Sequence, residues 1–287
     1  MFYLILSVLF SSLIFVIFKL FSVYNIQTLY AIITNYIVAC LVGLIVYTGD
    51  MYLMGIPSKK WFLGAMALGV LFIIVFNLMA ATSQRLGVSV ASVATKMSFV
   101  MPVIVGVLLY KEVLGSIKII GVLVAILAVY LASLKERAIK FRSSMLVLPL
   151  LVFLGSGLID TAIKYFQETL VPQEEFPIFC ATVFAAAAVT GLLFIGISAI
   201  KKPIKKNFRN VLGGITLGVP NFFSIYFLLK ALQFEGLTSA AIFTLNNVAI
   251  VMLSTIFGIL LFKERLSVKN WIGVGMAVIS ILLVAIF

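Results

Sequence analysis

The stretch WFLGAMALGVLFIIVFNLMAATSQRLG (61–87) returns, in altered form, as NVLGGITLGVPNFFSIYFLLKALQFEG (210–236). In register, Leu63-Gly64 falls on Leu212-Gly213, Leu68-Gly69-Val70 on Leu217-Gly218-Val219, Gln84 on Gln233 and Gly87 on Gly236. The matches continue outward. Lys19 falls on Lys164, Thr34 on Thr182 and Gly43 on Gly191 before this stretch, and Lys111-Glu112 falls on Lys263-Glu264 and Gly121 on Gly273 after it. The offset drifts from 145 to 152 residues, as small loop insertions would produce. An ordered series of this kind over the whole length is an internal duplication.

The composition names the solvent. Of 287 residues, 64% are hydrophobic and only 10% charged, against roughly 45–50% and about 25% in soluble domains. A soluble fold could not bury that much apolar surface. A membrane-spanning helix needs about 20 mainly apolar residues, and ten segments meet the requirement: 2–24, 28–47, 61–82, 88–110, 116–134, 145–166, 176–199, 211–233, 238–262 and 269–287. The expected fold is an all-α integral membrane protein, with one five-helix repeat over 1–134, a basic connecting loop over 135–144 and a second repeat over 145–287. The first apolar run lacks a basic leader and a small-residue cleavage site, so it is expected to be a retained helix.

Five helices per repeat is an odd number, so the second copy must insert upside down relative to the first. Inverted repeats place two related gates around one central site and are characteristic of secondary transporters. The expected localisation is multi-pass in the inner cell membrane. Duplication kept only for stability, in a sensor or lipid-handling scaffold, is the competing class and predicts no alternating access.

The stretches Gly87–Leu131 and Gly236–Ala285 resemble the drug/metabolite transporter superfamily in its ten-helix EamA group. A helix ending in Lys111-Glu112 or Lys263-Glu264, a short turn and a glycine-bearing helix carry the likeness. Ser156-Gly157 with Ala162-Ile163-Lys164 is similar to the family's first-helix pattern, and Tyr226 through Lys230-Ala231-Leu232 to its eighth helix. Ser11-Ser12 departs from the Trp-Gly often found in the first helix, and Pro102 has no partner in the second half. The resemblance implies an exporter of amino acids or other metabolites, or a relative carrying sugar phosphates or nucleotide sugars.

The net charge of +12 is concentrated in loops, notably Lys135, Arg137, Lys140 and Arg142, and Lys201, Lys202, Lys205, Lys206 and Arg209. Loops after odd-numbered helices hold 13 Lys/Arg; those after even-numbered helices hold Lys59, Lys60, Lys111 and Lys118. The positive-inside rule then puts the odd loops in the cytoplasm and both termini outside, whereas the resemblance implies cytoplasmic termini. No aromatic-interleaved basic face accompanies the clusters, so no nucleic-acid partner is expected.

A charge within the hydrocarbon costs roughly 2.5–3.5 kcal/mol on insertion scales and needs a reason. Lys96 lies mid-helix, flanked by Thr95 and Ser98, and faces Leu245 or Val248 in the repeat alignment. It is the candidate contact for an anionic group on the cargo. Asp160 falls on Phe15 in that alignment and has Lys164 four residues on, the favourable order for an ion pair. Asp160 and Lys164 are the candidate coupling pair, with protons as the candidate coupling ion. Lys19, Lys164 and Lys230 lie near helix ends, where snorkelling accounts for them. Glu112 and Glu264 fit pairing or capping at their turns. Asn77 and Tyr226 occupy equivalent positions, Asn221 follows Pro220, and Asn246-Asn247 interrupts an apolar run. With Thr95, Lys96 and Ser98, these residues suggest a polar pocket among helices three, four, eight and nine.

The remaining chemistry has no residues to carry it. The chain has no histidine, and Cys40 and Cys180 lie in apolar runs, so neither a metal centre nor a cofactor is expected. No phosphate-binding glycine loop precedes a Lys-Ser/Thr pair, which removes the motif for ATP-driven transport. Lys19, Lys96, Lys164 and Lys230 against Asp160 favour a small anionic or zwitterionic metabolite, such as an amino acid. The rival is a proton-coupled exporter of cationic drugs that exchanges on Asp160.

Overall fold

The computed structural model describes residues 1–47, 53–102, 104–105, 115–134, 144–199, 207–232 and 239–286, with some side chains, that of Lys164 among them, left out. Lys111-Glu112, Gln233, Gly236 and the basic loops at 135–143 and 200–206 lie outside the described residues. Among the described residues there are ten α-helices: α1 (Phe2–Val23), α2 (Thr28–Val46), α3 (Phe62–Leu86), α4 (Val88–Lys96), α5 (Ser116–Ser133), α6 (Ser144–Thr169), α7 (Phe176–Ala199), α8 (Phe208–Leu232), α9 (Ser239–Phe262) and α10 (Val268–Ile286). Seven are long and apolar enough to cross a membrane, and Val88–Pro102, Ile119–Ala132 and Val268–Leu283 are shorter apolar helices. The chain is an all-α membrane protein. Its outer faces carry exposed apolar side chains such as Ile45 (81%), Leu63 (80%) and Leu260 (70%), tolerable where lipid is the solvent.

One expectation about helix continuity changes, and one holds. The fourth helix ends its α-helical stretch at Lys96 and passes into a 3₁₀ turn, Met97–Phe99. Asn246-Asn247 does not interrupt α9, which runs unbroken from Ser239 to Phe262. Asn246 is buried there, with its Oδ1 3.1 Å from the Ser7 hydroxyl on α1.

The duplication is visible in how the helices cross. On α3, Gly69 packs against Val183 and Ala186 of α7; a methyl in place of its hydrogen would lie 2.5 Å from the Ala186 Cβ and 2.8 Å from the Val183 carbonyl oxygen. On α8, Gly218 packs against Asn35 and Val38 of α2, with 2.7 Å to the Val38 Cβ and 2.8 Å to the Asn35 carbonyl oxygen. Each partner in one crossing is the repeat equivalent of its counterpart in the other. Gly43 on α2 meets Ala181 on α7, while Gly191 on α7 meets Ile33 on α2, so α2 and α7 run antiparallel and exchange roles under the symmetry. A twofold axis that maps one antiparallel helix onto the other lies across them, in the plane of the membrane. The two halves are therefore inverted.

Hydrogen bonds between connectors respect this alternation. Gln27, after α1, exchanges two hydrogen bonds with Asn210 at the start of α8. Asn270, after α9, donates to the carbonyls of Leu131, Ala132 and Leu134 at the end of α5. Lys59, after α2, donates to Glu175, after α6, at 2.6 Å. Odd connectors bond odd connectors, and even bond even.

Lys19 is used differently from the snorkelling expected, and Glu264 caps, one of its two expected roles, at a helix start other than its own turn. Lys19 Nζ donates to the Gln84 carbonyl in the last turn of α3 at 2.9 Å, a favourable place for a cation. Glu264 reaches across the repeat boundary. Its carboxylate accepts from the Val88 backbone N–H at 2.7 Å and the Ser89 hydroxyl at 3.2 Å, capping α4 where the backbone amides are unpaired. Gly87 precedes this cap at φ +120 with the Glu264 carboxylate 2.9 Å from where a Cβ would sit. Only glycine satisfies both conditions.

Candidate functional site

A cavity of about 310 Å³ lies among α1, α3, α4, α6, α7, α8 and α9. Its two long walls are repeat equivalents. From α3 come Phe72, Val75, Phe76 and Met79, and from α8 come Asn221, Ser224, Ile225 and Leu228, each pair 149 residues apart. The spacing i, i+3, i+4, i+7 is one stripe of a helix. Ser11 on α1 and Ser156 on α6 form a fifth equivalent pair. The backbone frame is thus symmetric while its chemistry is not: the α3 wall is wholly apolar, and the α8 wall carries an amide and a hydroxyl.

Behind the α8 wall is a neutral polar network. Asn221 Nδ2 donates to Asn35 Oδ1 at 3.2 Å, and Ser224 Oγ donates to the Asn221 carbonyl at 2.8 Å. Ser7 Oγ lies 2.9 Å from the Ser224 carbonyl and 3.1 Å from Asn246 Oδ1. Four buried side-chain groups among the described residues remain unpartnered, Ser12 Oγ, Asn35 Nδ2, Ser156 Oγ and Thr255 Oγ1, of which Ser156 lines the cavity and Asn35 belongs to this network. Each such group costs about 1–3 kcal/mol unless a partner arrives.

The charged corner is built by α4 and α6. Thr95 and Lys96 enter the cavity at the end of α4, just before the 3₁₀ turn, and Asp160 enters from α6. No salt bridge joins Lys96 to Asp160, although each lies within reach of the other's charge. Ser98 is fully buried and holds Asp160 from behind, its Oγ 2.8 Å from Asp160 Oδ2 and 2.5 Å from the Thr95 carbonyl. A hydroxyl has one proton. Ser98 can give it to an ionised Asp160, or give it to Thr95 and accept one from a protonated Asp160. Both protonation states of Asp160 are accommodated without moving a heavy atom.

Of the residues singled out in the sequence, Thr95, Lys96, Asp160, Asn221 and Asn246 meet in this cavity. Ser98 stands directly behind it. Asn77 and Tyr226 do not line it: Asn77 Nδ2 donates to the Ile73 carbonyl of its own helix, and Tyr226 stacks on Phe222 beneath the Lys230 ammonium. Asn247 is half-buried and also outside the lining. The side chain of Lys164 lies outside the described residues. Sequence reasoning missed Ser7, Asn35, Ser224 and the aromatic lining from Phe72, Phe76, Phe179 and Phe184. The register of the repeat was the available signal for Ser224 and the phenylalanines of α3.

A symmetric inverted frame around an asymmetric polar cavity is transporter architecture, and the comparisons agree. The model of the EamA-like transporter family matches twice, over residues 1–134 and 143–286. The chain belongs to the EamA-like transporter family. As a member it is a multi-pass membrane transporter with a small-molecule substrate. An uncharacterised protein of Haemophilus influenzae is 32% identical over 214 residues, 73% of this chain and 70% of that protein. A solved crystal structure of a protein with 13% identity covers 97% of both chains at a TM-score of 0.53, a likeness of fold alone.

Proposed function

We propose that this transporter is a secondary carrier, acting as an exporter in the inner cell membrane, for a small anionic or zwitterionic metabolite such as an amino acid. The two halves, 1–134 and 145–287, are the units that rock about the cavity. The observation that carries the reading is that Lys96 and Asp160 face one cavity without pairing to each other. A zwitterion supplies both missing partners: its carboxylate goes to Lys96 and its ammonium to Asp160, with Thr95, Asn221 and Asn246 orienting it. The phenylalanines on the opposite side take an apolar side chain. A volume of about 310 Å³ is at the lower end of small-molecule sites, roughly 300–1,000 Å³, which argues for a metabolite of that size over a nucleotide sugar.

Proton coupling is favoured by one specific contact, the Ser98 hydroxyl that serves Asp160 in either protonation state. Exchange of a proton for cargo on Asp160 is the second reading, and it extends to organic cations.

The test starts from a thermal-shift screen of purified protein against amino acids, other small anions and organic cations, since a true ligand raises stability by mass action. For the ligand found, Lys96→Met is expected to keep the protein folded and weaken binding by about 1–3 kcal/mol, as for a charge-assisted hydrogen bond. If Lys96 is only a structural partner of Asp160, Lys96→Met lowers stability instead and Asp160→Asn restores it. Normal transport by a well-expressed Lys96→Met protein would falsify the binding role.

A further inference from the structure

Among the described residues, Ser11, Thr95, Ser156 and Ser224 bring aliphatic hydroxyls to the cavity. In a helix such a hydroxyl ordinarily returns its proton to a carbonyl three or four residues back. Thr95 does so to Ala91 and Ser224 to Asn221, both at 2.8 Å. On α6 itself Thr161 donates to the Gly157 carbonyl and Thr169 to that of Tyr165. Ser156 departs from this pattern. It lies midway along α6 and is 5% exposed, and its Oγ has no hydrogen-bond partner.

The neighbours of Ser156 say which group would pair with it. Ser156, Ile159, Asp160 and Ile163 line the cavity at i, i+3, i+4 and i+7, one stripe of α6. Ser156 and Asp160 therefore sit one turn apart on the same face, with Cβ atoms about 5–6 Å from each other. Ser98 holds one oxygen of Asp160 from behind. Towards the cavity this corner presents a carboxylate and, beside it, a hydroxyl oxygen that can accept. The repeat supplies a comparison. Ser11 on α1 is the equivalent of Ser156 and also lines the cavity, but four residues beyond it stands Phe15, where α6 has Asp160. The hydroxyl occurs in both halves and the pair of acceptors in one.

We propose that Ser156 is a specificity-determining residue which, with Asp160, reads the N–H donors on the cargo's cationic group, so that the cavity selects a primary ammonium over a quaternary one. The proposal rests on the zwitterion reading given above and narrows it. A primary ammonium has three N–H donors; Asp160 and Ser156 Oγ both accept from it, and the Ser156 proton turns to the Val152 carbonyl one turn back. A trimethylammonium has no N–H and leaves Ser156 unpaired. Without cargo the hydroxyl is a buried polar group that does nothing for the fold, as expected of a site that trades stability for recognition.

The experiment measures, by titration calorimetry on the purified full chain, binding of leucine and methionine and of the N,N,N-trimethyl derivative of each. The wild-type protein is expected to prefer each amino acid to its derivative. Ser156→Ala should cut that preference about tenfold, the weight of one hydrogen bond to a charged group, by weakening the amino acid and leaving the derivative unchanged. Ser11→Ala, with no carboxylate beside it, should leave the preference as it is. The Tm of cargo-free Ser156→Ala should equal or exceed that of the wild type, because the hydroxyl removed has no partner. A hydroxyl that served only the fold would give a lower Tm and an unchanged preference. An unchanged preference in Ser156→Ala overturns the proposal, including the case in which both compounds weaken equally and the hydroxyl serves the carboxylate. A preference cut as much by Ser11→Ala overturns it as well. Failure of both amino acids to bind the wild-type protein would instead remove the zwitterion reading, and this contact with it.

Discussion

One turn apart on α3 and α8 lie two pairs of equivalent positions with opposite histories. Gly69 and Gly218 are identical, and each is pressed against a backbone carbonyl of the other half. Phe72 and Asn221 occupy matching places on the cavity wall and share no chemistry. At the crossings the backbones approach so closely that the helix pair fixes the residue, as expected where helices associate in lipid through small side chains. On the cavity wall only the direction of the side chain is fixed. The duplication thus maintains a frame and leaves the solute-facing stripe free to differ, which is how a symmetric fold acquires a site with a charged corner and an apolar wall.

The largest effect should come from breaking that identity. Gly69→Leu and Gly218→Leu each drive a side chain into a neighbouring backbone, so each should cost about 3 kcal/mol or more, beyond ordinary overpacking. Loss of the monodisperse peak in detergent, or a large fall in Tm, would report it. Because the two crossings are images of one another, the two variants should fail alike. A protein that tolerates one and not the other would mean that the halves do not bear equal loads at their glycines.

A smaller effect tests the capping across the repeats. Glu264→Ala removes the acceptor for Val88 and Ser89 and should lower stability by about 1 kcal/mol, the usual worth of an N-cap. By the register of the repeat, Glu112→Ala should cost a similar amount. A cost for Glu264 alone would confine the device to one half.

The frame was legible in the sequence because its constraints are local and repeated. The start of α2, the limits of α7 and the Gly43/Gly191, Gly64/Gly213 and Gly69/Gly218 pairs follow from run lengths and register. The inward face was not. In lipid a helix is apolar on all sides, so periodicity does not say which stripe points to the cavity. Asn77 illustrates the difficulty: it follows Phe76 directly, about 100° further round the helix, and its amide returns to its own backbone at Ile73. Polarity alone nominated it, and its neighbour lines the cavity. Lys96 and Asp160 were found because a charge in hydrocarbon is costly enough to demand a use. Asn35 and Ser7 were overlooked because a single neutral polar side chain is not.

The smallest and most specific test compares the two faces of the membrane. Trp61 and Asn210 are repeat equivalents, as are Glu175 and Gln27. On one face Trp61 Nε1 donates to Glu175 Oε2 at 2.8 Å, with Lys59 on the other oxygen; on the opposite face Asn210 Nδ2 donates to Gln27 Oε1 at 3.2 Å. The same joint is charged in one copy and neutral in the other. The hydrogen bond from Lys59, followed by that from Trp61, holds the Glu175 carboxyl below the ordinary carboxylate range. A depressed folded pKa means that the unfolded chain binds more protons in that window, so stability rises with pH there. The contribution is complete above the unfolded pKa of about 4.3 and is lost as pH falls through the lower folded value. With side chains 45% and 23% exposed, solvent screening limits it to about 0.2–1 kcal/mol. Glu175→Gln should therefore lower Tm slightly at pH 7 and by progressively less as pH falls below about 4.3, while Gln27→Ala should cost the same throughout. An equal loss from Glu175→Gln at pH 3 and pH 7 would show that packing of the glutamate, and not its charge, holds this joint together.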